Sequence, residues 1–136
     1  IILAQRLVRR LTDDRTAHKF SSAELKNLEK YCDLSKILKI LKEEKIVKPG
    51  AGWEDVNFYR PKPSKDYPDG YRGRFGIYEV LVVTPSIKEL IVKQATSDQI
   101  QEQAQKEGMI TMIEDGFVKA AQGITSIEEV LRVIVE

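Results

Sequence analysis

One stretch near the middle of the chain, residues 70–83, constrains the fold more than any other. It reads GYRGRFGIYEVLVV and is rich in the β-branched and aromatic side chains that fit a pleated sheet. Pro68, Asp69 and Gly70 mark its start, and Thr84-Pro85 stops it. Alternation gives both faces apolar residues: Phe75, Ile77, Leu81 and Val83 on one, and Tyr78, Val80 and Val82 on the other. The pattern predicts a long interior strand.

The N-terminal segment, residues 1–11, fits a helix or a strand equally well by periodicity. As a helix, IILAQRLVRRL would gather its leucines into one apolar arc with the arginines turned away. As a strand, it would place Leu3, Leu7 and Leu11 on one face together with Gln5 and Arg9. Its length does not decide between the two, and the polar Thr-Asp-Asp that follows ends the segment in either case.

Helical patterns account for much of the remaining chain. Ser21 and Glu24 have the spacing of a capping box before one short helix. A second helix follows Asp33, and residues 50–70 are predicted to be loop with a short strand at 56–60. Four further helices are predicted after the long strand. They begin at Thr84, Ser97, Thr111 and Thr125.

The chain lacks the residues of a self-sufficient active site. It contains no GxxxxGK[ST] phosphate loop, no GxGxxG and no HExxH, and its one His and one Cys exclude the usual zinc clusters and Cys/His nucleophile pairs. We therefore expect no catalytic residue and no metal site. The net charge of +1 gives no overall attraction to nucleic acid. A single cysteine and the lack of an 18-residue apolar run predict a cytoplasmic protein that does not insert into the membrane.

Several residues that could carry chemistry are better explained by structure. We expect His18 on the surface, Cys32 as a small packing residue, and Trp53 as a hydrophobic lid over a small subdomain. Glu114 and Asp115 are adjacent in a predicted helix and so do not face each other, which favours a role at the positive helix N-terminus over a catalytic pair. Lysines at every third position between 36 and 48 are expected to be solvated.

Four blocks of sequence, taken together and in order, resemble a known family. They are AQRLVRRL at 4–11, GYRGRFGIYEVLVV at 70–83, GMITMIEDGFVKAAQG at 108–123 and TSIEEVLRV at 125–133. The family is that of the GspE/PilB-type ATPases that power type II secretion and type IV pilus assembly, and the resemblance is to their C-terminal end. It implies an α/β fold in which residues 1–11 and 70–83 form an antiparallel strand pair that completes a RecA-like sheet.

The resemblance also implies a division of the chain. Residues 12–69 would be an insertion subdomain at the tip of the strand pair, and residues 84–136 a C-terminal helical subdomain. In many relatives two CxxC motifs in this insertion hold a structural zinc, but here the matching positions are Thr12, Arg15, approximately Pro63, and Asp66. The two helices between Ser21 and Val47 are therefore expected to replace the metal with a small apolar core. Its predicted members are Leu25, Leu28, Tyr31, Leu34, Ile37, Leu38 and Leu41.

By the same resemblance, the phosphate loop and the metal-holding motifs lie upstream of the first strand. ATP and Mg²⁺ would bind the parent protein, while this fragment would hold no cofactor and hydrolyse no ATP alone. Implied partners are identical subunits in a hexamer and an inner-membrane platform protein. Candidate nucleotide or subunit-interface residues are Gln5, Arg6, Arg72 and Arg74. The alternative is a stand-alone, non-enzymatic adaptor that binds a protein partner through residues 21–60.

Overall fold

The computed structural model describes residues 1–135 and has mixed α/β architecture, as predicted. Two long strands, β1 and β4, and two short ones, β2 and β3, are combined with six α-helices and one 3₁₀ turn at Trp53–Asp55. The strands are β1 (Ile2–Leu11), β2 (Arg15–His18), β3 (Phe58–Pro61) and β4 (Tyr71–Leu81). The helices are α1 (Ser22–Leu28), α2 (Leu34–Glu43), α3 (Pro85–Val92), α4 (Ser97–Lys106), α5 (Met112–Ala121) and α6 (Ile127–Val135).

The N-terminal segment is a strand, which confirms the strand interpretation of residues 1–11. β1 pairs with β4 in antiparallel register, with Leu3 opposite Val80 and Gln5 opposite Tyr78. In the part of the chain that the structure describes, β4 has no second strand neighbour. The prediction of an interior strand is therefore wrong for residues 1–135.

A β-bulge interrupts this strand pair near its end. Arg9 lies opposite Arg74 and Leu11 opposite Tyr71, so that Arg10 faces two residues of β4, Arg72 and Gly73. Gly73 has a φ of +71°, which favours glycine, and a Cβ built there would meet no atom within 4 Å. The glycine is thus required by backbone conformation, and not by a lack of space for a side chain.

β2 and β3, which lie between β1 and β4 in the sequence, form a second antiparallel pair. The predicted short strand at 56–60 is found two residues later, as β3. β2 was not predicted, because RTAH is only four residues long and its apolar pattern does not alternate.

One apolar core lies between the β2–β3 pair and four helices, α1, α2, α5 and α6. Trp53 packs on it, with its ring 6.2 Å from that of Phe58, which confirms the lid interpretation. Tyr31 is 47% exposed, so its assignment to the core is wrong. The buried members of the core come from both sides of β4 in the sequence: Leu28, Leu34, Ile37, Ile40, Leu41, Val56, Phe58, Phe117, Val118, Ala120, Ala121 and Ile127. Residues 12–69 therefore do not pack separately from the C-terminal helices.

The helix N-caps follow the predicted residues with two shifts. Ser21, Asp33, Thr84 and Thr111 accept backbone hydrogen bonds as N-caps. Thr96, not Ser97, caps α4, and Ser126 Oγ, not that of Thr125, accepts the Glu129 N–H in α6. Neighbouring hydroxyl residues meet the capping spacing equally well, so the sequence does not distinguish them.

Candidate functional site

The most distinctive surface is one side of the β1–β4 pair, which we call the apolar sheet face. Residues directly opposite each other on paired strands share a face, and the opposite side buries Val8 and Ile77 completely. The exposed side carries Leu3 (59% exposed), Leu7 (43%), Tyr78 (38%) and Val80 (41%), followed by Val82 (55%). Such a contiguous apolar surface is typical of a contact region.

A groove extends this face toward the helices. Its volume is about 510 Å³, and it is lined by Tyr78, Val80 and Val82 on one side and by Met109 and Ile110 before α5 on the other. The apolar sheet face and the groove are therefore continuous, and both lie where β4 leads into the C-terminal helices.

The outer edge of β1 is covered along half of its length. The Arg9 N–H donates to Glu129 Oε1 at 3.0 Å, the Leu11 N–H donates to the Ile124 carbonyl at 2.9 Å, and Thr125 Oγ1 donates to the Arg9 carbonyl at 2.9 Å. Between Ile2 and Leu7, no backbone hydrogen bond from another element of residues 1–135 reaches that edge. This half of β1 presents an edge to which a further strand can pair.

Two of the predicted interface residues lie near the middle of β1. Gln5 Nε2 donates to the hydroxyl of Tyr78 across the strands at 3.3 Å, on the apolar sheet face. The Arg6 guanidinium donates to the Val133 carbonyl, in the last turn of α6. A cation there complements the negative end of the helix dipole. Arg6 thus has a structural contact that periodicity did not reveal.

The other two predicted residues, Arg72 and Arg74, flank the bulge at the far end of the pair. The Arg72 guanidinium lies over the Tyr67 ring, 5.6 Å from its centroid, while Arg74 is exposed and lies opposite Arg9. At about 3.3 Å per residue, the four positions between Arg74 and Tyr78 separate the two pairs of candidates by about 13 Å. The structure does not bring the four residues together, and their role stays a prediction.

A buried carboxylate that sequence analysis missed anchors α6 to β1. Glu129 is 1% exposed and accepts hydrogen bonds from the backbone N–H, Nε and Nη2 of Arg9 and from Nε and Nη2 of Arg132. Burial raises the pKa of Glu129, but hydrogen bonds from Arg132 and Arg9 outweigh it and hold the pKa at about 2. The carboxylate is therefore charged at any ordinary pH.

One signal for this network was present in the sequence. Glu129 and Arg132 are three positions apart in the last predicted helix, a spacing at which opposite charges on a helix can pair. Arg9 also stacks over the Tyr71 ring at 4.4 Å, and the Tyr71 hydroxyl lies 2.6 Å from Ser126 Oγ. The identity of the acidic partner could not be read from the sequence, since Glu129 lies 120 residues away.

The adjacent carboxylates of α5 have separate partners, as expected for neighbours on a helix. Glu114 accepts from the Thr111 N–H, which confirms its capping role, and also from Lys36 Nζ of α2 at 3.0 Å. Asp115 Oδ2 accepts from the Tyr78 N–H at 2.8 Å and from Lys119 at 2.6 Å. α5 is therefore bonded to α2 on one side and to the edge of β4 on the other. Lys36, which was expected to be solvated, is thus engaged in an ion pair.

His18 is not the surface histidine that the sequence indicated. Both its ring nitrogens are shielded from solvent and have no hydrogen-bond partner within residues 1–135, and its ring lies edge-on to Phe20 at 5.0 Å. Burial and the nearby charge of Arg60 lower the pKa of His18 below 6.5. Cys32, by contrast, packs against the core as expected, and burial raises the pKa of its thiol to about 12.

Neither a metal centre nor a membrane-spanning helix is found in the described residues. Within residues 1–135, no group of three or more His, Cys, Asp or Glu side chains is arranged to hold a metal ion. No helix within that range is long and apolar enough to cross a bilayer.

Comparison with known proteins gives consistent matches over nearly the whole chain. The family model described as "Type II/IV secretion system protein" matches residues 1–132. Type II secretion system protein E of Xanthomonas campestris is 36% identical over 132 residues, which are 97% of this chain and 20% of that protein. Type II secretion system ATPase E of Vibrio cholerae is 36% identical over 135 residues, or 99% of this chain and 23% of that protein.

A pilus protein gives a shorter match with a higher identity. Type IV pilus assembly ATPase PilB of Pseudomonas aeruginosa is 47% identical over 75 residues, which are 55% of this chain and 13% of that protein. The chain therefore spans no more than about a quarter of the length of these three relatives.

Proposed function

The chain belongs to the type II/IV secretion system protein family, and from this we propose that it is the C-terminal part of a hexameric motor ATPase. The parent protein would drive type IV pilus assembly or type II secretion on the cytoplasmic side of the inner membrane. This part would contribute a subunit interface and transmit force to a platform protein, while the nucleotide site would lie elsewhere in the parent.

The apolar sheet face carries this proposal. Leu3 and Val80 lie opposite each other and are 59% and 41% exposed, although their strands bury Val8 and Ile77 on the other side. Burying a large aliphatic side chain contributes about 1.5–3 kcal/mol, so a sheet with one bare apolar face is stabilised by whatever covers it. Further strands and a packing layer of a RecA-like core would cover this face and pair with the edge of β1 at Ile2 to Leu7.

The contacts of α5 support a mechanical role. Asp115 bonds the Tyr78 N–H of β4, and Glu114 bonds Lys36 of α2. A displacement of the strand pair would therefore reach residues 12–69 through one helix that is tied at both sides. Force transmission of this kind requires an element that can adopt two positions, and both of the regions that it connects must influence which position it takes. In this chain the candidate element is α5.

The proposed nucleotide or subunit-interface residues are Gln5, Arg6, Arg72 and Arg74. Arg74 is the most informative of them, because it is exposed and lies opposite a second arginine, Arg9, whose charge Glu129 neutralises. An Arg74 guanidinium at an interface can bind a carboxylate or a phosphate through paired donors. ATP and Mg²⁺ are proposed for the parent, and no cofactor for this part of it.

The gene and the full-length protein provide the test. The reading frame should continue upstream of the codon for Ile1 through a GxxxxGK[ST] loop, and the purified full-length protein should form hexamers and hydrolyse ATP with Mg²⁺. The 136-residue chain alone should show no turnover. A start codon just before Ile1, with a stable monomer that captures a partner protein through residues 21–60, would support the adaptor alternative.

A matched pair of variants tests the role of the apolar sheet face. Val80→Arg in the full-length protein should destabilise the fold and abolish ATP hydrolysis, because it places a charge where the RecA-like core would cover the apolar sheet face. Val92→Arg is the control, since Val92 is 81% exposed and lies on α3, outside that face. Equal activity of the two variants would argue against the proposed contact.

A further inference from the structure

An open groove is lined mainly by the end of α2 and by the loop that follows it. Its volume is about 810 Å³, within the range of roughly 300–1,000 Å³ that is typical of ligand sites. The apolar part of the lining consists of Ile46, Val47, Pro49 and Ala51, and the charged part of Lys42, Lys45, Lys48 and Asp55. We call it the lysine groove.

The three lysines of the groove have no acidic partner. None of them forms an ion pair within residues 1–135, whereas Lys36 and Lys39, earlier on α2, each pair with a glutamate. The one carboxylate of the lining, that of Asp55, accepts a hydrogen bond from the Gly52 N–H at 3.1 Å. Even with the partial negative charge of about one half at the end of α2, this single carboxylate leaves the lining positively charged.

Lys45 occupies a backbone position that favours glycine. Its φ is +60°, and it closes α2 through hydrogen bonds from its own N–H to the Lys42 carbonyl at 3.1 Å and from the Ile46 N–H to the Leu41 carbonyl at 3.0 Å. Glycine is the usual residue at such a helix end, because it has no Cβ. Lysine is less stable there than glycine, and no ion pair within residues 1–135 compensates. The fold does not explain this charge, which points to a ligand.

The distribution of charge around the groove identifies the class of ligand. Ammonium groups bind carboxylates or phosphates, and the apolar side chains between them favour an aliphatic group. The exposed carboxylates of Glu43, Glu44 and Glu54 flank the lining residues in the sequence. They would repel an extended anionic surface, such as a nucleic acid or an anionic membrane. A short segment with a few carboxylates beside an aliphatic residue avoids this repulsion.

We propose that the lysine groove binds a short acidic segment of a partner polypeptide. The carboxylates of the segment would pair with Lys42, Lys45 and Lys48, and an aliphatic side chain would pack against Ile46 and Val47. None of the residues that line the groove belongs to the apolar sheet face. The proposal therefore stands or falls independently of the motor function, which is tested by hexamer formation and ATP hydrolysis.

The test is an NMR titration of the ¹⁵N-labelled 136-residue chain with the capped hexapeptide EELLEE. The amides of Lys45, Val47 and Gly50 should shift in a saturable way, with half-saturation between roughly 0.1 and 1 mM, as expected for a short segment. Raising the NaCl concentration from roughly 50 to 500 mM should weaken this binding, because salt screens exposed charges. The neutral counterpart QQLLQQ should not bind at these concentrations.

Three outcomes of the titration would overturn the proposal. Equal shifts with the two peptides would mean that the charge is not recognised, and no shifts with EELLEE would mean that the groove does not bind such a segment. Shifts of the same amides with phosphatidylglycerol vesicles, in preference to the peptide, would assign the groove to a membrane contact instead.

Two glycine substitutions separate binding from folding. Lys45→Gly should raise the midpoint of thermal unfolding by about 2–5 °C, because it relieves the positive φ, and should weaken EELLEE binding about two- to fivefold. Gln94→Gly is the control, since Gln94 has a φ of +59° at the equivalent position after α3 and lies outside the groove. It should stabilise the chain equally and leave binding unchanged. Equal binding by the two variants would contradict the role of Lys45.

The other two lysines are tested together. The double variant Lys42→Gln and Lys48→Gln should weaken EELLEE binding by roughly three- to tenfold, which is the effect of losing two exposed ion pairs. Lys88→Gln, at an exposed lysine of α3, is the control and should bind as the unaltered chain does. Unchanged binding in the double variant would also overturn the proposal.

Discussion

Glu129 illustrates how a single residue can fix the position of a helix. It is 1% exposed, lies in the first turn of α6, and holds Arg9 of β1 through both guanidinium and backbone donors. Arg132 binds it from the next turn, so that one carboxylate is shared by two guanidinium groups. The whole network depends on the charge of that carboxylate.

Glu129→Gln should therefore destabilise the fold and change its response to acid. Because the pKa of Glu129 is lowered from 4.5 to about 2, its contribution is present above pH 4.5 and is lost as the pH falls from 4.5 toward 2. The contribution corresponds to about 3 kcal/mol. The free energy of unfolding would be measured with urea at pH 7 and at pH 3. It should fall less between these two pH values in the variant than in the unaltered chain. Glu128→Gln, an exposed neighbour, should behave like the unaltered chain.

His18 should make the stability of the fold depend on pH in a higher range than Glu129 does, just below pH 6.5. Its pKa is lowered from 6.5 by burial and by Arg60, so the unfolded chain binds a proton more readily than the folded chain does. Stability is full above pH 6.5 and falls as the pH drops below that value. His18→Phe should remove this dependence between pH 6.5 and 5, measured by thermal unfolding. His18 is the only histidine of the chain, so a dependence that persisted in the variant would contradict the assignment.

At the scale of elements, the sequence predicted those features that depend on neighbouring residues. The long strand, the helices and most of the caps follow from alternation, from apolar spacing and from hydroxyl or acidic residues at helix starts. The choices between Ser97 and Thr96, and between Thr125 and Ser126, failed because adjacent residues satisfy the same rule.

What the sequence could not predict depends on partners that are distant in the chain. Glu129 can be buried because Arg9 binds it, and the second role of Glu114 is to bind Lys36. No local pattern contains these pairings. The same limit applies to the candidate site. The sequence placed Gln5 and Arg6 on β1, but it did not show that they lie about 13 Å from Arg72 and Arg74.

The bulge in β4 provides a test at this scale. Gly73→Ala should destabilise the chain by about 1 kcal/mol, because a φ of +71° is unfavourable for any residue with a Cβ. Space is not the cause, since a Cβ at Gly73 meets nothing within 4 Å. Gly50→Ala is the control, with equal space and no positive φ, and should leave the free energy of unfolding unchanged or slightly raise it. Equal effects of the two substitutions would refute the conformational explanation.

At the scale of the whole molecule, residues 12–69 and the C-terminal helices share one core. Phe58 of β3 and Phe117 of α5 contact each other edge to face with their rings 6.4 Å apart, and both are buried. The apolar side chains of α1 and α2 thus share one core with those of α5 and α6. We expect the two regions to unfold as one unit.

Phe117→Ala tests this shared core. The substitution should cost about 3–5 kcal/mol and should lower hydrogen-exchange protection in α2 as well as in α5. Ile87→Ala is the control, because Ile87 is equally buried but lies on α3 outside that core. It should leave the protection of α2 relative to the rest of the chain unchanged. Loss of protection in α5 alone would mean that residues 12–69 form a separate folding unit.

Hydrogen exchange of β1 tests the central claim, that this chain completes the sheet of a larger motor protein. The amides of Leu3, Gln5 and Leu7, which by alternation point to the same outer edge of β1 as that of Arg9, would be compared in the 136-residue chain and in the full-length protein. We expect much slower exchange in the full-length protein, because further strands would pair with that edge and cover the apolar sheet face. Equal exchange in the two proteins would contradict it.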